Sequence, residues 1–259
     1  MKRIFNLLTS IRQNLPFVYG KIFKKQIIDY KNTFIQYKPD RYSLNLKKYE
    51  NLLNFFSPDD LKYWNKWNYL NNAGDISRFY FLNLCIDQLL QEGINGNVAE
   101  LGVYKGNSAY LLAKYARRIN TTLFLFDTFK SFNHKDLSGI DKNAEVDTFS
   151  DTSLNYVREI IGDSNVKYIQ GYFPESLSQV NDLEQFSLVH LDCDLEKPFT
   201  AGLNYFYPKL MPGGFLIMHD YSSLFWPGAP QAINNFFKDK KELLIPIPDK
   251  SGTAVIRKI

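Results

Sequence analysis

NVAELGVYKGNS, residues 97–108, is the stretch on which the fold turns. A short apolar run from Val98 to Leu101 carries one acid, Glu100, and stops at Gly102. Four residues later Gly106 opens a segment that reads as a helix over residues 108–119, with Ser108 as its N-cap. A strand that passes through a glycine-bearing turn into a helix is the opening half of a βαβ unit. Its glycines let backbone and ligand approach closely, and the helix start offers free amides. The spacing is G-x-x-x-G, not G-x-G-x-x-G, and an acid precedes the first glycine, which favours a small zwitterionic ligand over a pyrophosphate. A tight turn without a ligand has the same glycine pair. Glu100, Gly102, Tyr104, Gly106 and Ser108 are the candidate cofactor contacts of this turn.

Downstream, the same alternation repeats. Apolar runs at 97–103, 122–127, 166–171, 186–192 and 215–220 predict five central strands. Between them a helix is predicted over 152–161, with Thr152 as N-cap and Gly162 as stop. LLIPIP and TAVIRKI, either side of the turn DKSG, predict a terminal hairpin whose first strand is pushed to an edge by its prolines. The fold class is therefore α/β, a mostly parallel doubly wound Rossmann-like sheet with a C-terminal antiparallel hairpin. Upstream, a helix runs from Asp75 to a stop at Gly93. Residues 1–74, broken by Pro16, Pro39 and Pro58 and with a wet aromatic stretch around Tyr63, Trp64, Trp67 and Tyr69, read as a helical cap on a catalytic domain spanning 75–259.

In such sheets ligands bind beyond the carboxyl ends of the strands, where strand order reverses. The second strand ends in Asp127, whose carboxylate can accept from both hydroxyls of a ribose, or else serves as a loop or cap acid. The third ends at Gly171-Tyr172, beside the place of an adenine. HLDCDLEKP (190–198) and PGGFLIMHDY (212–221) end strands four and five, about 5 Å apart if the strands are neighbours. Asp192, Asp194, His219 and Asp220 then crowd one mouth. Clustered carboxylates repel unless a cation or proton resolves them, so a hard divalent metal is the natural occupant, unless one acid caps a helix and another pairs with a lysine.

Composition narrows the field. A net charge of +4, without a basic run interleaved with aromatics, argues against nucleic acid as a partner. Two cysteines, Cys85 and Cys193, form no CxxC arrangement, which fits a reducing cytoplasm. Aromatics at 16% suit either aromatic-lined clefts or core packing. No apolar run of about 18 residues predicts a membrane span. Ile4, Leu8, Ile11 and Leu15 share a helical face in a strongly basic stretch, residues 1–25. That face suits weak peripheral contact with the anionic inner membrane surface, or packing on the domain or on a second copy in a homo-oligomer.

A run of βα units closed by an antiparallel hairpin is the plan of class I methyltransferases. NVAELGVYKGNSA, FLFDTF, FSDTSLNYVREIIG, GYFPESL, the long HLDCDLEKP to MHDY segment and WPGAPQAINNFF follow one another in order, and with them the chain resembles the macrocin O-methyltransferase (TylF) family of S-adenosylmethionine (SAM)-dependent sugar O-methyltransferases over about residues 75–259. The resemblance implies a SAM pocket around Glu100, Gly102 and Asp127. It also implies a magnesium site using Asp192 and two acids after strand five, with Asp194 as general base. His219-Asp220 departs from the paired acids of the macrolide enzymes. Imidazole suits softer metals than magnesium, so magnesium or manganese is left open.

The assignment is then Asp192, His219 and Asp220 to the metal, Asp194 or His219 as base, and Asp192, Gly171 and Tyr172 with the β1 turn and Asp127 around SAM. The loop from Tyr221 to Pro230, with Trp226, faces a small-molecule or glycan acceptor. A NAD-dependent sugar oxidoreductase would share the fold and Asp127 but would carry a glycine fingerprint that this chain lacks. A non-catalytic binding subunit would have lost the strand-end acids.

Overall fold

The computed structural model describes residue 55, residues 57–67 and residues 75–259. The compact unit that holds the sheet runs from Asp59 to Ile259. Most of the expected cap, including the basic face of residues 1–25, lies outside the described residues. In chain order the described elements are α1 (Pro58–Trp67), α2 (Ile76–Glu92), β1 (Asn97–Leu101), α3 (Asn107–Arg118), β2 (Leu123–Asp127), α4 (Leu154–Ile161), β3 (Val166–Gln170), β4 (Phe186–Leu191), α5 (Glu196–Phe206), β5 (Leu210–Met218), α6 (Gly228–Phe237), β6 (Ile245–Ile247) and β7 (Thr253–Arg257). No helix among the described residues is long and apolar enough to cross a membrane.

The sheet order is β3-β2-β1-β4-β5-β7-β6. β1 to β5 pair in parallel, and β7 joins β5 and β6 antiparallel, which is the predicted hairpin. Strand order reverses between β1 and β4, so that is where the sheet opens a crevice for a ligand. Pairing puts Leu101, Leu191 and Met218 at one level. The ladder continues one step further, with Asp192 N bonded to Leu101 O and His219 N to Leu191 O, both at 2.9 Å. Gly102, Asp192 and His219 are thus held shoulder to shoulder.

Burial on both faces explains the continuous apolar runs: every residue of β4 is buried. Much of the aromatic excess is core. Phe126 packs edge-on against Phe173 and Phe206, with centroids 5.6 Å away in each case, and Phe173 stacks on Phe206 at 5.9 Å. Trp64, expected to be wet, is instead buried on α1 and packs on Phe79 of α2 at 5.5 Å. An amphipathic helix hides one aromatic face even in a tyrosine- and tryptophan-rich stretch.

Helix ends follow their caps. Asp75 starts α2, accepting from Arg78 N, and Gly93 ends it in the left-handed region. Two caps differ from expectation. α3 is opened by Gly106 at φ +83, and Ser108 lies inside its first turn, buried. α4 is capped by Ser153, which accepts from Tyr156 N, while Thr152 donates its hydroxyl to the Tyr104 carbonyl. Either hydroxyl of the Thr-Ser pair could cap, and the tie to the β1 turn takes the first.

Candidate active site

The acids follow from where β4 and β5 stop. Asp194 and Asp220 both adopt left-handed backbone, at φ +62 and +61. Side chains other than Gly, Asn and Asp rarely tolerate that region, and such residues cluster at functional sites. His219 Nδ1 lies 2.8 Å from Asp192 Oδ1 and 3.2 Å from Asp220 Oδ2. Donor atoms of Asp192, His219 and Asp220 all lie within 4.8 Å of one another. The structure therefore brings together the three expected metal ligands, with Asp194, itself buried, beside them.

A fifth residue completes the cluster. Arg78, on α2, places Nη1 2.9 Å from Asp192 Oδ2 and Nε 3.2 Å from Asp75 Oδ2, and its guanidinium lies 5.4 Å from the centroid of Trp64. Sequence reasoning missed it. Its signal was a charge on an otherwise apolar helix face, since Arg78, Leu82, Cys85 and Leu89 recur at helical spacing and all are buried.

These charges set each other's protonation. Burial favours a neutral Asp192, but the positive charges of His219 and Arg78 outweigh it and hold the carboxyl far below the usual range. Burial and Arg78 disfavour a charged His219, yet Asp192 and Asp220 prevail and push it up to about 10. Asp194 is raised well above an ordinary aspartate by burial and by the negative charges of Asp220 and Asp192. The expected mutual repulsion thus falls on Asp194, while Arg78 and His219 balance the other two acids. Carboxylate crowding does not by itself require a metal. The donor chemistry nonetheless fits one: two carboxylates and an imidazole that has given up its proton suit a borderline divalent ion, and neither ring nitrogen of the buried His219 makes an aligned hydrogen bond with a described residue.

On the cofactor side, Asp127 is occupied as a loop acid. Its Oδ2 accepts from the amides of Val103 at 2.6 Å and Tyr104 at 2.9 Å, and Oδ1 from Phe129 N at 2.6 Å. That arrangement braces the β1 turn against the end of β2. Gly102, at φ +87, is needed for packing: a Cβ there would lie 2.0 Å from the Asp192 carbonyl oxygen. Gly106 lies against Ile161 and Val157 of α4, where a Cβ would come within 3.1 Å and 3.3 Å. Glu100 is fully buried below the turn, 2.7 Å from His190 Nδ1, and burial raises its pKa. His190 Nε2 has no partner among the described residues. Among the described residues no side chain caps α3, so its first amides are open to a ligand, which fits a carboxylate-bearing cofactor. Gly171 is at φ +149, and Tyr172 donates its hydroxyl to Asp136 at 2.6 Å.

Between β2 and α4 the chain makes a long excursion, residues 128–153, containing only short 3-10 turns. Loops of that length inside a compact domain are usually functional. The buried Asp141 carboxylate accepts from Glu196 N at 2.7 Å and Gly228 N at 3.2 Å, tying the excursion to the starts of α5 and α6. Those helices follow the two acid-bearing strand ends. Phe149 packs on Tyr104 at 4.9 Å and on Trp226 at 6.0 Å, and Phe132 meets Trp226 edge-on at 5.5 Å. An aromatic wall thus links the β1 turn to the loop after Asp220, where Leu224 and Phe225 are 97% and 83% exposed.

This geometry has relatives. The family profile for macrocin-O-methyltransferase (TylF) matches residues 73–258. The 8-demethyl-8-(2,3-dimethoxy-alpha-L-rhamnosyl)-tetracenomycin-C 4'-O-methyltransferase of Streptomyces olivaceus is 23% identical over 193 residues, covering 70% of this chain and 72% of that protein. The mycinamicin III 3''-O-methyltransferase of Micromonospora griseorubida is 25% identical over 177 residues, covering 62% and 68%. The solved structure of the O-methyltransferase NovP superposes with a TM-score of 0.62 at 21% identity, covering 71% of this chain and 80% of NovP, a likeness of fold. Sheet order and profile agree: this class I, Rossmann-like chain belongs to the macrocin-O-methyltransferase (TylF) family.

Proposed function

We propose that this O-methyltransferase moves the methyl group of SAM to a hydroxyl of a sugar, glycan or glycosylated natural product, with a divalent ion held by Asp192, His219 and Asp220. The observation that carries the reading is the juxtaposition of that donor cluster with the β1 turn across the β1–β4 crevice. The relatives support the acceptor class, since the name of one puts a rhamnosyl group on its acceptor and both are named as O-methyltransferases.

A sugar hydroxyl is a weak nucleophile, whereas a sulfonium methyl is already activated, so the chain's task is to deprotonate and align the acceptor. Asp194 is the base. Burial beside Asp220 and Asp192 makes its carboxyl a stronger proton acceptor than an ordinary aspartate. When bound, a divalent ion would lower the pKa of the acceptor hydroxyl. The amides of α3 and the braced turn at Val103 and Tyr104 hold the cofactor, and the wall of Phe132, Phe149 and Trp226 faces the acceptor and excludes water.

Calorimetric titration with SAM, S-adenosylhomocysteine and NAD tests the reading. It predicts binding of the first two and none of NAD. Binding of NAD alone would turn the case toward an oxidoreductase, and binding of none toward a non-catalytic subunit.

A further inference from the structure

Arg78 comes from α2, ahead of every described strand, yet its guanidinium ends inside the acid cluster. It is buried, its charge is anchored from behind by Asp75, and Asp75 is fixed in turn by capping α2 and by accepting from Lys250 N at 3.3 Å in the terminal hairpin. The cation therefore cannot swing away without breaking a buried ion pair to an acid that is itself fixed in place. Of the two oxygens of Asp192, Arg78 takes Oδ2 and His219 approaches Oδ1.

We propose that Arg78 is a resident cation that withholds one oxygen of Asp192 from a divalent ion and keeps that ion's binding weak, making it a positioning residue of the site. The inference rests on the metal reading above. A carboxylate tied on one oxygen offers a single ligand atom, and a fixed positive charge beside the site opposes a second cation. The acceptor hydroxyl, not a full set of protein ligands, then completes the coordination, and the ion is exchanged with the substrate instead of being held permanently.

The test is Mn²⁺ affinity of the full chain, followed by electron paramagnetic resonance of the free ion, for the parent, Arg78→Gln and Arg78→Lys. Removing the charge should tighten Mn²⁺ binding about tenfold or more, as expected when a unit charge is withdrawn from beside a divalent ion. Arg78→Lys keeps the charge and should stay within about threefold of the parent. Thermal unfolding confirms that each variant is folded, and Arg78→Met, an apolar replacement of similar length, reports the same effect if the glutamine variant does not fold. Equal or weaker binding in the neutral variants of a Mn²⁺-binding parent overturns the inference and leaves the metal reading intact. Absence of Mn²⁺ binding in parent and variants alike overturns both.

Discussion

Breaking the Arg78–Asp192 pair from either side should cost stability, and breaking both sides should cost less than the sum. Arg78 is buried with its charge retained, since Asp192 and Asp75 outweigh the burial that opposes it. Asp192→Asn leaves that guanidinium facing a neutral amide. Stripping one partner from a buried pair costs about 3–5 kcal/mol in general. Here the side chain of Asp192 is 21% exposed, and Arg78 keeps Asp75 at 3.2 Å, so about 2 kcal/mol is expected. Arg78→Gln should cost a similar amount by leaving Asp192 to His219 alone. The double variant should recover about 1–2 kcal/mol of the summed loss, the size usual for residues in direct contact. Urea unfolding at neutral pH is a suitable assay, with fluorescence of Trp64, 5.4 Å from the guanidinium, as a local probe. Losses that add to within about 0.5 kcal/mol would refute the pairing.

Further outcomes follow from other contacts. Asp127→Ala removes three amide acceptances and should lower both stability, by about 2–3 kcal/mol, and SAM affinity; loss of SAM affinity with an unchanged urea midpoint would assign Asp127 to the ribose instead of the turn. Asp141→Ala should cost about 2 kcal/mol and lower turnover, because it frees the starts of the helices behind both acid-bearing loops; full turnover in the folded variant would contradict that link. Glu242 is an acid-stability probe: burial would raise its pKa, but the hydroxyl of Tyr207 and the ammonium of Lys258 hold it at about 2, against an ordinary 4.5. A depressed carboxyl stabilises above its unfolded value, so the advantage of the parent over Glu242→Gln should be about 1–2 kcal/mol near neutrality and vanish between about pH 4.5 and pH 2. Trp226→Ala should raise the acceptor KM and spare SAM affinity; a change in SAM affinity alone would move the aromatic wall to the cofactor side.

The parts of the fold that repeat a local pattern were legible in the sequence. The five parallel strands, the terminal hairpin, the Asp75 and Gly93 caps of α2 and the meeting of Asp192, His219 and Asp220 rest on period, punctuation and strand-end position. What was hidden depends on contacts far apart in the chain. Arg78 meets Asp192 across 114 positions, and Asp141 reaches Glu196 and Gly228 across 55 and 87, so no local pattern marks either carboxylate bond. The glycines of the β1 turn read either as room for a ligand or as a tight turn. Gly102 serves chain packing against the Asp192 carbonyl, a role that a single sequence does not separate from the other. Asp127 likewise reads from sequence as either a ribose ligand or a loop brace, and its three amide donors, which show the brace, come from contacts the sequence does not display.

Transfer of label from methyl-labelled SAM to nucleotide sugars and cell-surface glycan extracts, by the parent and by Asp194→Asn and Asp192→Asn, tests the central claim most directly. The account predicts a labelled O-methyl sugar with the parent, reduced about a hundredfold or more by either substitution while SAM binding persists. No labelled sugar from a SAM-binding parent, or equal labelling by all three proteins, would contradict it.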